Sequence, residues 1–336
     1  MHKIIHSATT GEGAPARRIR GQSAAPVGGQ REALLEMDDI NEQIDPAVLD
    51  EIGPWSERKH GILQDYAERY SIVLTNAKNH VQRFSHDYID GFASAGISRR
   101  RGTTDIVKGS ALRSLDIVPP FDRYTFVELN ADRYKILSSH MRHRDDVELV
   151  NGDANDVLVR EVFPRYTFKS YRRALCLLDP YTHKTLSWDT IVAAGRTKCI
   201  DLMLHFPTMP MNRGTLHKAG VFSEEEAAFL TRFWGDESWE QAAYRRDGLF
   251  ENVAFKVDDD AFVRAFCQHL KDAGEFLDTA TPIPMKLQGK TLYYLILAGN
   301  HDTAIRKMRE TATYFIRRPY AIARKPNPSL LNKSAG

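Results

Sequence analysis

The chain has 336 residues with 46 basic and 44 acidic side chains, a formal net charge of +2, and 42% apolar and 27% charged residues. This composition allows one large core or two smaller ones, and it excludes a fibre, a stapled mini-protein and a disordered chain. So small a net charge gives no global field toward nucleic acid, and any such contact has to come from local basic patches.

Residues 1–50 differ from the rest. Thr9 to Gln30 is rich in Gly, Ala, Pro, Arg and Gln without helical or strand period, which predicts a flexible tail. Its Arg17, Arg18 and Arg20, with Arg31 beyond, fit either a phosphate contact or a solvated tail. Asp45 is placed to cap, and Pro46 to open, a short helix reaching Ile52. From Lys59 to Phe84 the residues Ile62, Leu63, Tyr66, Tyr70, Val73, Leu74, Ala77 and Val81 recur at spacings of mostly three and four, the pattern of an amphipathic helix or helix pair.

A strand over residues 87–92 then runs into Gly91, Phe92, Ala93, Ser94, Ala95 and Gly96, whose small side chains let the backbone bend and be approached closely. Such a turn is how open α/β sheets hold nucleotide-type cofactors, although a strict G-x-G-x-x-G is absent. Arg99, Arg100 and Arg101 follow in a loop that fits either a phosphate contact or plain solvation, and Ser110 to Leu115 restarts a helix. The strand Tyr124 to Leu129 carries Glu128 at its carboxyl end, where an acid can accept hydrogen bonds from a ribose diol. A short strand, Val147 to Val150, leads to Gly152, Asp153, Ala154 and Asn155; Asp153 fits a cofactor contact or a helix cap.

Ala174 to Leu178 reads as a central parallel strand. It ends in Asp179-Pro180-Tyr181, which fits either an ordinary turn or a place where Tyr181 stacks on a flat substrate while Asp179 or the Pro180 carbonyl accepts from an amino group. Ser187 to Gly195 is a helix and Cys199 to Phe206 a fifth strand. Residues 208–250 read as a helical insertion over the carboxyl edge of the sheet. A helix from Asp259 to about Ala273 follows, then a hairpin of Phe276 to Leu287 and Thr291 to Ala298 around Gln288-Gly289-Lys290, then a helix from Thr303 to Phe315. Beyond it Arg317, Arg318, Arg324 and Lys325 lie among prolines, a basic tail that fits a nucleic acid contact or simple solubility.

Together these elements predict an α/β, Rossmann-like, seven-stranded class I methyltransferase sheet with an antiparallel last strand plus a helical insertion. The expected layout is a tail over 1–50, one domain over 51–318 with the insertion at about 208–250, and a basic tail over 319–336. Cys176, Cys199 and Cys267 form no C-x-x-C pair, which predicts buried thiols in a reducing compartment and no metal site. No stretch approaches ~18 uninterrupted apolar residues and no apolar signal core opens the sequence, so a cytoplasmic protein without membrane contact is expected.

Six stretches carry a resemblance: Lys59-His60-Gly61-Ile62-Leu63, Tyr88-Ile89-Asp90-Gly91-Phe92-Ala93, Phe121-Asp122-Arg123-Tyr124, Gly152-Asp153-Ala154-Asn155, Leu178-Asp179-Pro180-Tyr181 and Ile200-Asp201-Leu202. In this order, over roughly residues 57–316, the chain resembles the three-Cys-motif partner proteins, TcmP. These are similar to class I S-adenosylmethionine-dependent methyltransferases and linked to a radical-type, phage-derived three-cysteine protein. The resemblance implies S-adenosyl-L-methionine as cofactor, with Asp90, Gly91, Phe92, Ala93, Ser94 and Gly96 as the methionine-binding turn. It implies Glu128 as the ribose acid, Asp153 with Ala154 on the adenine side, and Asp179, Pro180 and Tyr181 facing the substrate. Two departures stand out. Ser94 and Ala95 replace the Gly-x of the family's Gly-Phe-Ala-Gly-x-Gly, which implies weakened cofactor binding. Asp179-Pro180-Tyr181 is one residue shorter than the Asp-Pro-Pro-aromatic motif of amino methyltransferases.

The expected function is therefore methyl transfer to a nucleic acid base, DNA or RNA, with Arg99, Arg100 and Arg101 toward its phosphate and a three-cysteine partner. The alternative is a non-catalytic cofactor-binding or scaffold subunit of that partner. A nuclease fits less well, because Glu128, Asp153 and Asp179 fall on separate strand ends and no paired metal-ligand motif is present.

Overall fold

A computed structural model describes residues 18–19, 45–78, 83–214, 216, 222–246 and 254–318 of the chain. Arg17, Arg20, Arg31, Arg324 and Lys325, read above as basic tail residues, lie outside the described residues, as does Val81 of the expected helix. In chain order the elements are β1 (Arg18–Ile19), β2 (Glu51–Ile52), α1 (Pro54–Lys78), β3 (Ser85–Asp90), β4 (Ile97–Arg100), β5 (Ile106–Lys108), α2 (Ser110–Ser114), β6 (Arg123–Glu128), α3 (Ala131–His140) and β7 (Val147–Asn151). Then come α4 (Ala154–Val157), running on through a π turn at Leu158–Val162, β8 (Arg172–Leu178), α5 (Trp188–Arg196), β9 (Ile200–Phe206), α6 (Thr208–Gly214), α7 (Glu224–Trp234) and α8 (Trp239–Ala243). The rest are β10 (Tyr244–Arg246), β11 (Ala254–Lys256), α9 (Asp259–Asp272), β12 (Asp278–Thr279), β13 (Ile283–Leu287), β14 (Lys290–Gly299) and α10 (Asp302–Arg317).

The wound sheet runs β7-β6-β3-β8-β9-β14-β13, with the short β1 and β12 added by pairing to β7 and β14. The first five strands are parallel, and β14 is antiparallel to β9, pairing Tyr294 with Phe206 and Ala298 with Leu202. This is the class I methyltransferase order expected from the sequence. Alternation along each strand divides the core between two faces. Tyr88, Tyr124, Phe126, Leu175, Leu177, Met203 and Leu295 pack with α1, α3 and α10, while Ile89, Val127, Cys176, Leu178, Leu202 and Leu204 pack with α5, α7 and α9. All three cysteines are free and buried, as read. No described helix is long and apolar enough to cross a membrane.

Four local readings change. Pro46–Val48 is one 3₁₀ turn, capped by Asp45 through the Ala47 amide at 2.9 Å, and the chain then enters β2 instead of continuing as a helix. Arg99 and Arg100 lie on β4, in a small sheet with β2 and β5, and not in a loop. Phe276 to Leu287 is broken into β12 and β13, which pair with different parts of β14 because Pro282 and its neighbours interrupt the ladder. The insertion holds α6, α7 and α8 together with a β10–β11 hairpin. Its Phe233, Trp234 and Trp239 join the face made by Phe206, Phe262 and Phe266, so it packs on one side of the sheet.

Asp201 lies inside the fold on β9, accepting from the Tyr66 hydroxyl at 3.4 Å and from the Asn300 amide. Burial raises its pKa to about 7 against the opposing hydrogen bonds. The folded protein thus holds a proton here that the unfolded chain releases near pH 4, and the contribution to stability present at low pH is lost as pH rises through about 7. Asp201→Asn is expected to flatten the fall of unfolding free energy between about pH 4 and 7 by at most about 1.4 kcal/mol per pH unit. Urea titrations across that range check it; an unchanged slope contradicts the assignment.

Candidate functional site

Where the strand order reverses, β3 sits between β6 and β8, and the carboxyl ends of these strands with β7 and β9 form one edge. Ligands of open α/β sheets bind at such a switch point. The turn after β3 is closed by its own hydrogen bonds. The Gly91 amide donates to the Leu177 carbonyl at 3.0 Å, Phe92 to Asp90 Oδ1 at 3.1 Å, Ala93 to the Val127 carbonyl at 3.0 Å, and Ser94 to Glu128 Oε2 at 2.8 Å. Gly96 has φ +74°, and a Cβ there would stand 2.7 Å from Leu137, which favours glycine.

Asp90 is fully buried and also accepts from the Ser110 hydroxyl at 2.6 Å. Burial, with the nearby Asp179 charge adding to it, raises its pKa to about 7 despite the hydrogen bonds from Ser110 and Phe92. Glu128 receives backbone amides on both oxygens, Ser94 on one and Asn130 on the other at 2.7 Å, and burial lifts its pKa. Each oxygen keeps a second lone pair for a ligand hydroxyl. Next to it Leu129 is 70% exposed, an apolar side chain displayed at the strand end. Asp153 does cap α4: its Oδ1 accepts from the Asn155 amide at 2.8 Å, and Ala154 behind it is buried. Asn155 in turn holds the start of α5, accepting from the Ser187 amide and the Thr190 hydroxyl.

Asp179 is not a free acceptor. Lys59 Nζ lies 2.5 Å from its Oδ2, and His205 Nδ1 lies 3.1 Å from its Oδ1 and 3.0 Å from the Pro180 carbonyl. Burial alone would raise the carboxyl, but the Lys59 charge and the His205 hydrogen bond hold it well below the usual carboxylate range. Both partners of His205 Nδ1 only accept when Asp179 is ionised, so Nδ1 carries a proton. Nε2 is buried with no hydrogen-bond partner among the described residues, and the ring packs edge-on against Tyr293 with centroids 4.1 Å apart. His60 is buried beside this group with Nδ1 likewise unpartnered among the described residues, and burial, with the Lys59 and Arg113 charges, lowers its pKa to about 3. Tyr181 is 87% exposed beyond Pro180.

The predicted residues thus come together at one edge, apart from the arginines. Arg99 pairs with Glu51, and Arg100 with Asp105 at 2.9 Å, so two of the three already have carboxylate partners. Sequence reasoning assigned no role to His205, Lys59, Asp50 or Leu129. His205 was findable as the polar residue near the end of the fifth strand, and Leu129 as the residue after the expected ribose acid. Asp50 had no such signal. Its carboxylate accepts from Ser94 Oγ at 2.8 Å and from Arg133 at 2.6 Å, and β2 just after it runs parallel to β4. Leu49 and Asp50, expected in the tail, form part of the wall of the turn.

No family model matches the chain, and no curated protein matches it. Among solved structures it is similar to protein LPL1258 from Legionella pneumophila, at 11% identity over 77% of this chain and 93% of that one, with a TM-score of 0.36. It is also similar to Trm1 from Pyrococcus horikoshii in complex with S-adenosyl-L-methionine, at 13% identity over 76% and 58% of the two chains and a TM-score of 0.36. Aeropyrum pernix fibrillarin with natively bound S-adenosyl-L-methionine gives 12% identity over 69% and 75%, with a TM-score of 0.33. Scores this low carry no argument of their own, and the fold assignment rests on strand order.

Asp50→Ala leaves the Ser94 hydroxyl and the Arg133 guanidinium without this acceptor. It is expected to cost about 1–3 kcal/mol and to speed amide exchange at Arg99 and Arg101, which donate to the Asp50 and Ile52 carbonyls. Hydrogen exchange read by mass spectrometry checks it; exchange as slow as in the wild type would show that the strap does not depend on this carboxylate.

Proposed function

We propose that the chain is an S-adenosylmethionine-dependent methyltransferase whose acceptor is a nucleic acid base. The observation that carries this reading is the reversed strand order, with a small-residue turn, Glu128 and Asp153 on successive strand ends around it. The residues fit the cofactor by their donor and acceptor chemistry. Glu128 has lone pairs for ribose hydroxyls, Leu129 offers an apolar face for a purine, and Asp153 has a second oxygen for an amino group. The Ser94 side chain, which the family pattern sets at the cofactor turn, is hydrogen-bonded to Asp50. Bound S-adenosylmethionine supplies an electrophilic sulfonium methyl group.

The chain's own part is positioning and exclusion of water. Tyr181, exposed at the edge, stacks on the acceptor base. Asp179, kept ionised by Lys59, holds His205 in the Nδ1–H form and fixes the Pro180 carbonyl beside it. In this reading Asp179 acts through its neighbours, and the acceptor positions left for substrate are the remaining lone pairs of the Pro180 carbonyl and Asp179.

A second reading is favoured by one observation: both Asp179 oxygens are already engaged. It is a cofactor-binding or scaffold subunit that leaves the chemistry to a radical-type three-cysteine partner.

Calorimetric titration with S-adenosylmethionine tests the site. The wild type is expected to bind in the micromolar range. Glu128→Gln keeps one acceptor oxygen, for either the Ser94 or the Asn130 amide, while its NH2 faces the other, and is expected to bind about 10-fold or more weakly, the loss of a charged hydrogen bond to a hydroxyl. Glu128→Ala is the poorer variant because it unties both amides. No binding by a folded wild type overturns the enzyme reading for the isolated chain, and unchanged binding by a folded Glu128→Gln contradicts the assigned role.

A further inference from the structure

Helix α10 carries Arg306, Arg309 and Arg317, with Arg318 just past its end, along an open groove of about 920 Å3 that also includes Tyr314. Residues 306, 310, 313 and 317 fall at spacings of three and four, on one side of the helix. From Arg306 to Arg317 the rise is on the order of 16 Å, the axial length of about five nucleotides of a stacked strand. The one acid in the groove, Glu310, is already met by Lys307 at 2.9 Å and Arg69 at 3.6 Å. Arg309 is hydrogen-bonded to Asp278. Arg306 and Arg317 are exposed and make no ion pair among the described residues, and the Arg318 guanidinium lies 4.7 Å from the Tyr314 ring centroid.

The C-terminal end of α10 is also tied to the helix that serves the candidate site. Arg58 donates to the Phe315 carbonyl at 3.1 Å, in the last turns of α10, and to the Pro284 carbonyl of β13 at 3.3 Å. The next residue on α1 is Lys59, the cation paired with Asp179. The same β13–β14 hairpin carries exposed Lys286 and Lys290 at its tip. A single side chain therefore joins the basic end of α10, the base of a basic hairpin and the helix that supplies the site's lysine.

We infer that this face of α10 takes the phosphate backbone of a single-stranded nucleic acid, which delivers a base to the edge at Asp179 and Tyr181. The inference rests on the nucleic acid reading above and names the surface that serves it. A net positive groove with two uncommitted guanidiniums suits phosphate, and the neighbouring aromatic ring and open shape suit a strand better than a compact anion. It also replaces the Arg99–Arg101 cluster, whose first two members have carboxylate partners, as the place where phosphate is held.

The test is fluorescence anisotropy of the full chain with a fluorescein-labelled single-stranded RNA and its DNA counterpart, between about 50 and 200 mM salt. Wild type is expected to bind with a log–log salt dependence. Arg306→Gln combined with Arg317→Gln is expected to lower that slope by about 1.4, some 0.7 for each phosphate of a single strand that is no longer neutralised. Binding to only one of the two strands identifies the sugar and supports the surface equally. An unchanged slope and affinity in the double variant overturns the inference, as does absence of salt-dependent binding by the wild type, including the case where it binds phosphatidylserine vesicles instead. Cofactor titration of the same variants is expected to match the wild type. Failure of the wild type to bind cofactor sinks the methyltransferase reading and leaves the nucleic acid surface standing on its own slope, so the two failures are distinguishable.

Discussion

The charge on Asp179 sets the terms for the rest of the edge. A carboxylate so enclosed is tolerated only with a cation against it, and the cation comes from Lys59, on a helix that precedes every parallel strand of the wound sheet. The pair therefore draws the start of α1 onto the carboxyl ends of β8 and β9. Arg58 follows from that placement, since its guanidinium reaches both Pro284 and Phe315 from the neighbouring position. Removing Lys59 would leave the partly buried Asp179 charge with only His205 against it.

Asp90 makes the opposite case on the adjacent strand. It is more deeply buried than Asp179 and has only a hydroxyl and an amide for partners, and its pKa rises to about 7 where that of Asp179 falls. The cation against Asp179 is what Asp90 lacks. Asp179 itself contributes to the rise at Asp90, so ionising one carboxylate disfavours ionising the other. Near neutral pH Asp179 thus carries a firm negative charge, while Asp90 is readily protonated.

Much of this was legible from residue patterns. The continuous apolar run of β8, the strand patterns of β3 and β6 and the acids at the ends of all three reflect burial and strand termination, both local properties of the chain. The order of those runs then fixed which side chains would share an edge. What the patterns did not show are pairings made across the fold. Lys59 and Asp179 are 120 residues apart, and Asp50 and Ser94 are 44 apart. Neither spacing has a period, and only the closed sheet brings the partners together. The arginines at 99–101 misled for the same reason: a run of charges looks like solvated loop until Glu51 and Asp105 arrive from β2 and the β4–β5 turn to meet it.

The turn after β3 shows how such a pairing can change what a sequence motif means. Ser94 and Gly96 both have positive φ, 54° and 74°, a conformation that costs a non-glycine residue about 1 kcal/mol. At Gly96 a Cβ would stand 2.7 Å from a Leu137 methyl and 3.3 Å from Leu112, so a side chain there would add crowding to the strain. At Ser94 there is room, and the hydroxyl gains an acceptor in Asp50 while the amide keeps Glu128. A hydrogen bond to a charged group is worth about 1.5–3 kcal/mol, enough to offset the strain. The serine that departs from a glycine pattern therefore does not loosen the turn. It ties the turn to the strap at Asp50, and through Arg133 to the helix that follows Glu128. The strap, the turn and the expected ribose acid become one hydrogen-bonded unit in which movement of any part is felt by the other two.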